Sequence, residues 1–129
     1  MASGSASAPM GCPRCGARME PYTTPAGPTA EMCAACSTVF FDAGELAAVL
    51  ATAEDLPDLE RTRSRNESTE HRCPRCGTAW LVRQPYVLGE PVELETCPSC
   101  QGVLVALSDL AALRGLARRF PEAAPRSSR

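Results

Sequence analysis

The sequence contains no lysine and a single histidine, His71, so all thirteen of its basic residues are arginine. The formal net charge is −2. An acidic chain lacks the positive charge that drives phosphate binding, which argues against a role dominated by nucleic acid. Aromatic residues are also few, at three Phe, two Tyr and one Trp. Small units with so little core material usually need a metal, disulfides or a partner in order to fold.

Two further absences concern cellular location. No apolar run approaches the ~18 residues of a membrane-spanning helix. Residues 1–10, MASGSASAPM, contain neither the basic region nor the apolar region of a secretory signal peptide. We therefore expect a cytoplasmic protein without a membrane association, in which the cysteines stay reduced and are available to metal ions.

Cysteine, in contrast, is concentrated in a strict pattern. All eight cysteines fall in four Cys-x-x-Cys pairs, and none is left over. Each group of four matches one tetrahedral site with four thiolate ligands, so the pattern predicts two structural zinc ions per chain. The predicted metal ligands are Cys12, Cys15, Cys33, Cys36, Cys73, Cys76, Cys97 and Cys100.

An internal repeat organises the chain. The motif Cys12-Pro-Arg-Cys-Gly16 recurs 61 residues later at Cys73, and the pair that begins at Cys33 recurs 64 residues later at Cys97. We expect the three extra residues in the second hairpin, because a loop absorbs length more easily than a packed element. Each repeat shows a cysteine pair, a β-hairpin, a second cysteine pair, a short apolar strand and a helix.

The cysteine pattern alone leaves three alternatives open. Paired cysteines also act in thiol redox chemistry, although the βαβ unit that usually accompanies it is not visible here. Iron can replace zinc, since both metals accept a tetrahedral set of four sulfurs. The ligands could also be interleaved between the two halves, but the repeat favours sequential sites, one in each half.

The order of these elements resembles a zinc ribbon, and more narrowly the small bacterial proteins classed as transcription factor IIB-type zinc ribbons. Their pattern is roughly CPxCG, a hairpin and then CPxCGGxWLDxGEL. The first repeat matches it through Cys12-Pro-Arg-Cys-Gly16 and Phe41-Asp-Ala-Gly-Glu-Leu46. Ser37-Thr-Val-Phe40 stands where the family has Gly-Gly-x-Trp.

The second repeat keeps the cysteines and Gly102 but has Val105-Ala-Leu-Ser-Asp-Leu110 where the family has its acidic cap. The resemblance covers residues 12–50 and 73–114. It implies the ribbon fold and two zinc ions. It does not imply a role in transcription, because a fold name carries little information about function.

The predicted fold is a small metal-bound α+β protein with two tandem zinc ribbons. Each ribbon is expected to have three short strands, two of them in a hairpin, and a C-terminal helix. The predicted boundaries are a disordered tail at 1–10, ribbon 1 at 11–51, a charged linker at 52–72, ribbon 2 at 73–120 and a disordered tail at 121–129.

Several charged residues invite a functional interpretation but have a sufficient structural one. Asp42 and Glu45 have the spacing of an N-cap and an N3 residue, and Ser108 is the predicted N-cap of the second helix. Arg14 and Arg75 occupy equivalent positions beside the cysteines and are expected either to donate to the thiolates or to steady the negative charge of the site.

The remaining candidates have similar explanations. His71 is expected to be a solvated linker residue. Arg114, Arg118 and Arg119 suit the last turn of a helix, where cations favour the helix dipole. The aromatic and apolar residues that could stack on single-stranded nucleic acid are expected instead to form the core between hairpin and helix: Tyr22, Val39, Phe40, Phe41 and Trp80.

The function predicted from these features is that of a non-catalytic module that recognises another protein. A closed site with four cysteine ligands leaves no coordination position open for substrate or water, so we expect no enzymatic activity. Nucleic-acid binding in transcription is the first alternative. A thiol-redox protein or a rubredoxin-like iron protein is the second.

Overall fold

A computed structural model describes residues 10–25, 27–52, 54–56, 67–87 and 89–119 of the chain. The predicted disordered tails lie outside the described residues, except for Met10, which belongs to a strand. Among the described residues, no helix is long and apolar enough to cross a membrane.

Residues 10–56, here called unit 1, contain four strands and one short helix. They are β1 (Met10–Gly11), β2 (Arg18–Thr23), β3 (Thr29–Cys33), β4 (Thr38–Phe41) and α1 (Glu45–Leu50). Residues 67–119, here called unit 2, repeat this order with a longer helix. They form β5 (Glu67–Arg72), β6 (Trp80–Pro85), β7 (Glu93–Thr96), β8 (Val103–Ala106), a 3-10 turn (Leu107–Asp109) and α2 (Leu110–Arg119).

Two predictions about these elements are wrong. The charged linker predicted at 52–72 ends earlier, because residues 67–72 form β5 and pair with β6. A strand at the edge of a sheet can be polar and charged, so its composition resembles that of a linker. The α+β proportions also differ: the described residues form a sheet-rich structure, with four strands in each unit and one helix of more than two turns, α2.

The two units share a single sheet. Its eight strands among the described residues follow the order β1-β2-β3-β4-β8-β7-β6-β5. Strands β4 and β8 join the units in antiparallel pairing, with Phe40 opposite Leu104 and Phe41 opposite Val103. Phe40 and Leu104 are equivalent residues of the repeat, so the pairing has a pseudo-two-fold axis between them, as in a symmetric dimer.

The sheet has two buried faces, and β4 and β8 contribute to both. Val39, Phe41, Val103 and Val105 pack with residues of α1 and α2 on one face. Phe40 and Leu104 point to the opposite face and pack with the cysteines. Burial on both faces explains why these strands are continuously apolar instead of alternating with polar residues.

The beginning of α1 differs from its prediction. Asp55, which the sequence places in the linker, accepts hydrogen bonds from the backbone N–H groups of Gly44 at 2.7 Å and Ala47 at 2.8 Å. Glu45 accepts from the N–H of Asp42 at 2.9 Å, as the capping-box spacing predicts. The side chain of Asp42 does not cap the helix, and Ser108 lies inside the 3-10 turn that precedes α2.

Gly102 lies in close contact with Phe40 across the junction of the two units. A Cβ atom built on Gly102 would come within 2.2 Å of the Phe40 ring. Because Phe40 is only 1% exposed, its ring has little room to move. The backbone of Gly102 is not in the left-handed region, so the need for glycine here is one of space. In the repeat, Thr38 is the equivalent of Gly102, and Leu104 is the equivalent of Phe40.

We predict that Gly102→Ala destabilises the zinc-loaded protein by about 1–3 kcal/mol, because the buried Phe40 ring must shift. Phe40→Leu should relieve the clash, so the double variant should be more stable than the sum of the two single effects. Thermal unfolding followed by circular dichroism measures all three variants. If the stability losses of the two single variants simply add in the double variant, the contact between Gly102 and Phe40 does not determine the cost of Gly102→Ala.

Candidate metal centres

Four tight turns, each at a cysteine pair, carry the predicted ligands. In each turn the residue after the second cysteine donates its N–H to the carbonyl of the first cysteine, at 2.7–2.9 Å. That residue has a positive φ in all four turns: Gly16 (84°), Ser37 (59°), Gly77 (73°) and Gln101 (67°). Glycine adopts this conformation without strain, whereas Ser37 and Gln101 adopt it at some cost.

The turns bring the eight cysteines into two groups of four. Within each group all Sγ atoms lie within 4.8 Å of one another. The first group contains the cysteines of unit 1 and the second those of unit 2, so the grouping is sequential. The closest contacts across the turns are Cys12–Cys36 at 3.7 Å, Cys15–Cys33 at 3.4 Å, Cys73–Cys100 at 3.6 Å and Cys76–Cys97 at 3.7 Å.

These distances fit one metal ion in each group. A tetrahedron with Zn–S bonds of about 2.3 Å separates its sulfurs by about 3.8 Å. A disulfide would need about 2.05 Å, and all eight cysteines are free. With four sulfurs converging on one point, either group can close the coordination shell of a tetrahedral metal.

The two groups differ in exposure. In unit 2 the outer cysteines, Cys76 and Cys100, are half-buried, whereas in unit 1 Cys15 and Cys36 are exposed. The hydroxyl of Thr38 lies 3.1 Å from the Sγ of Cys36. Backbone N–H groups donate to the Sγ of Cys12, from Arg14 at 3.4 Å, and to that of Cys97, from Cys100 at 3.3 Å. Donors of this kind stabilise thiolates, as expected for metal ligands.

The equivalent arginines of the two units cross the junction between the units. Arg75 of unit 2 makes a bidentate ion pair with Asp42 of unit 1, with both N···O distances 2.9 Å. Arg14 of unit 1 donates to Glu95 of unit 2 at 3.1 Å. These side chains bind carboxylates of the other unit, so the expected donation to the thiolates is wrong, while the expected steadying of the site's negative charge stays a prediction.

The Glu95 carboxylate is the centre of a small polar cluster. Its side chain is 4% exposed, and its second oxygen lies 2.8 Å from Nδ1 of His71. His71 lies on β5 and contacts this buried carboxylate. It is therefore not the solvated linker residue predicted from the sequence. The first repeat has Glu31 at the position equivalent to Glu95. This repeat equivalence was the available signal that Glu95 belongs to the site.

The predicted aromatic core forms only in part. Phe40 packs beside the cysteines and Phe41 on the opposite face, each with at most 1% exposure. Tyr22 is half-buried against the helix-side core. Trp80, however, is 45% exposed, and the guanidinium of Arg72 lies 4.3 Å from its ring centroid.

Comparison with known proteins finds a family match in the first unit. Residues 11–52 match the family model of the transcription factor IIB-type zinc ribbon, described as a transcription factor zinc-finger. No curated protein and no solved structure matches the chain. The match includes the four cysteines of unit 1 and confirms the resemblance of residues 12–50, whereas the resemblance of residues 73–114 stays a prediction. Together with the two groups of four cysteines, it supports a zinc-binding module.

We predict that Cys36→Ser leaves the protein with at most one metal ion per chain and lowers its melting temperature. A closed structural site needs all four thiolates, and the side chain of serine is a poor substitute. Native mass spectrometry of protein purified without added metal counts and identifies the ions. Ala35→Ser is the matched control, because it adds a hydroxyl to the same turn without removing a ligand. An unchanged metal load in Cys36→Ser would contradict the assignment.

Proton release should accompany metal binding at the unit 2 site. Burial raises the pKa of Cys73 to about 12 and also raises that of Cys100. Backbone hydrogen bonds from Thr78 and Ala79 lower the pKa of Cys76 to about 6. At pH 7 the metal-free fold therefore holds protons on at least Cys73 and Cys100.

We predict that zinc binding to unit 2 releases at least two protons near pH 7. The logarithm of the binding constant should rise by about two or more per pH unit, so affinity falls as the pH is lowered. Calorimetric titrations in buffers with different ionisation enthalpies count the protons. A binding constant that does not change between about pH 6 and pH 8 would contradict this prediction.

Proposed function

We propose that this protein is a non-catalytic protein-interaction module, in which two structural zinc ions hold a shared sheet in shape. The observation that supports this most directly is the closed set of four sulfurs in each unit. Four protein ligands saturate a tetrahedral zinc ion, so neither site offers the open position that catalytic zinc requires. The role of the metal is then to form the fold that presents a binding surface.

The arrangement of the arginines weighs against the nucleic-acid alternative. Arg14 and Arg75 bind carboxylates across the junction. Arg83 lies between Glu67, at 3.4 Å, and Glu93, at 3.8 Å. Side chains that bind carboxylates within the molecule are less available to phosphates. The two loaded sites add further negative charge and bring the net charge to about −6.

Zinc is the metal that the family match favours, and zinc has no redox chemistry of its own. A rubredoxin-like function would need iron in the same four-sulfur geometry. A thiol-redox function would need the cysteines to be free of metal during turnover. Metal identity therefore separates the interaction function from the rubredoxin-like alternative, and metal occupancy separates it from the thiol-redox alternative.

We expect the zinc-loaded protein, when immobilised, to retain a defined protein partner from cell extract, and the chelator-treated protein to lose it. We also expect no binding to mixed DNA or RNA in electrophoretic assays at about 50–200 mM salt. Nucleic-acid binding that weakens steeply with salt would contradict the proposal, because the slope reports the number of phosphates neutralised. Capture of the same protein after complete metal removal would also contradict it.

A further inference from the structure

The hairpins of the two units carry side chains of very different size at one equivalent backbone position. Thr24 directly follows β2, and its N–H donates to the carbonyl of Pro28 at 3.0 Å. Tyr86 directly follows β6, and its N–H donates to the carbonyl of Val92 at the same distance of 3.0 Å. Thr24 and Tyr86 are therefore structural equivalents, one small and one large.

In unit 2, Tyr86 fills the space that this position faces. The side chain is fully buried in the helix-side core, and its buried hydroxyl has no hydrogen-bond partner among the described residues. Burial and the nearby Asp55 carboxylate raise the pKa of Tyr86 to about 12. Leu56 adds a second buried side chain to the same core.

In unit 1, the small Thr24 leaves a cavity at the equivalent place. The cavity has a volume of about 230 Å3 and lies between the unit 1 hairpin and α2. It is partly open to solvent. Because a space of about 150 Å3 is sufficient to hold benzene, it can receive an aromatic or large aliphatic side chain. The residues that line it include Tyr22, Thr24, Val49, Leu110, Ala111 and Arg114.

The cavity lining also differs in charge from the equivalent surface of α1. Arg114 lines the cavity, whereas the equivalent residue of α1 is Leu50, which is buried. Ala111, also in the lining, is equivalent to Ala47, whose N–H donates to Asp55. In unit 1, therefore, Asp55 binds the α1 backbone at the equivalent of Ala111, and the next residue, Leu56, is buried in the helix-side core.

We propose that this cavity receives an acidic–apolar segment of a protein partner. A large apolar or aromatic side chain fills the space that Thr24 leaves, and a neighbouring carboxylate binds the guanidinium of Arg114 in a charge-assisted hydrogen bond. The molecule's own Asp55-Leu56 segment sets an acidic and a buried apolar residue against the equivalent helix α1, where the carboxylate binds backbone N–H groups. This inference rests on the proposed interaction function and assigns it a partner chemistry.

The test uses a synthetic peptide with the sequence of residues 52–58, Thr-Ala-Glu-Asp-Leu-Pro-Asp, and a version with Phe in place of Leu. Both are titrated to roughly 1 mM into the zinc-loaded, 15N-labelled full chain. We expect amide shifts at Tyr22, Ala111 and Arg114, with the Phe peptide binding at least as tightly. Replacing the peptide's central Asp with Asn should weaken binding by about tenfold or more.

Two variants of the cavity lining and one control variant test which residues bind the peptide. Arg114→Glu should weaken peptide binding by about tenfold or more, whereas Arg118→Glu, the matched control on the same helix, should leave it nearly unchanged. Ala111→Trp should abolish binding by filling the cavity. The melting temperature and metal load of each variant report whether its fold is intact.

Three outcomes would overturn the inference: no shifts at the highest peptide concentration, equal binding by wild type and Arg114→Glu, or binding that appears only after residues 120–129 are deleted. The last would show that the chain's own terminal segment occupies the cavity. If a captured protein partner binds Arg114→Glu and Ala111→Trp as well as wild type, the inference fails while the proposed interaction function stands.

Discussion

The antiparallel pairing of β4 with β8 is the interaction on which the rest of the structure depends. These central strands are buried on both faces, with Phe40 and Leu104 toward the cysteines and their neighbours toward the helices. Without its partner, either unit would expose an apolar sheet edge, with unpaired backbone groups and half of its core. The backbone N–H of Leu107 extends the junction by donating to the carbonyl of Ser37 at 2.8 Å.

The metal sites and the junction support one another. Each group of cysteines fixes two turns, and the strands that leave those turns form the hairpin and the central strand of its unit. The arginine between the cysteines of each first turn reaches a carboxylate of the opposite unit. The exposed pair of Arg75 with Asp42 contributes little stability by itself, but it links the first turn of unit 2 to unit 1. Loss of metal from one unit should therefore weaken the junction and, through it, the other unit.

The sequence was sufficient to predict the features that depend on local chemistry. Cysteine spacing indicated two sites, and the repeat indicated two equivalent units with sequential ligands. The capping-box spacing of Asp42 and Glu45 correctly predicted that Glu45 bonds to the N–H of Asp42. The hairpin prediction was partly right: the repeat offset rises from 61 to 62 before β6 and reaches 64 only across the second hairpin loop.

The errors concern contacts between distant parts of the chain. Asp55 and residues 67–72 have linker composition, yet one caps α1 and the others form an edge strand. Arg14, His71 and Glu95 come from three different elements, and only the shared sheet brings them together. No local pattern states that two repeats will pair edge to edge. The apolar central strands contained that information, because a strand buried on both faces needs a covered edge as well as covered faces.

Hydrogen exchange followed by mass spectrometry during stepwise chelation tests the central claim most directly, namely that the two units form one cooperative structure. We expect the backbone amides of β4 and β8 to lose protection together, and peptides of both units to shift to the exchanged mass in a single step as metal is withdrawn. A stable intermediate, in which one unit keeps its metal and full protection while the other exchanges freely, would contradict it.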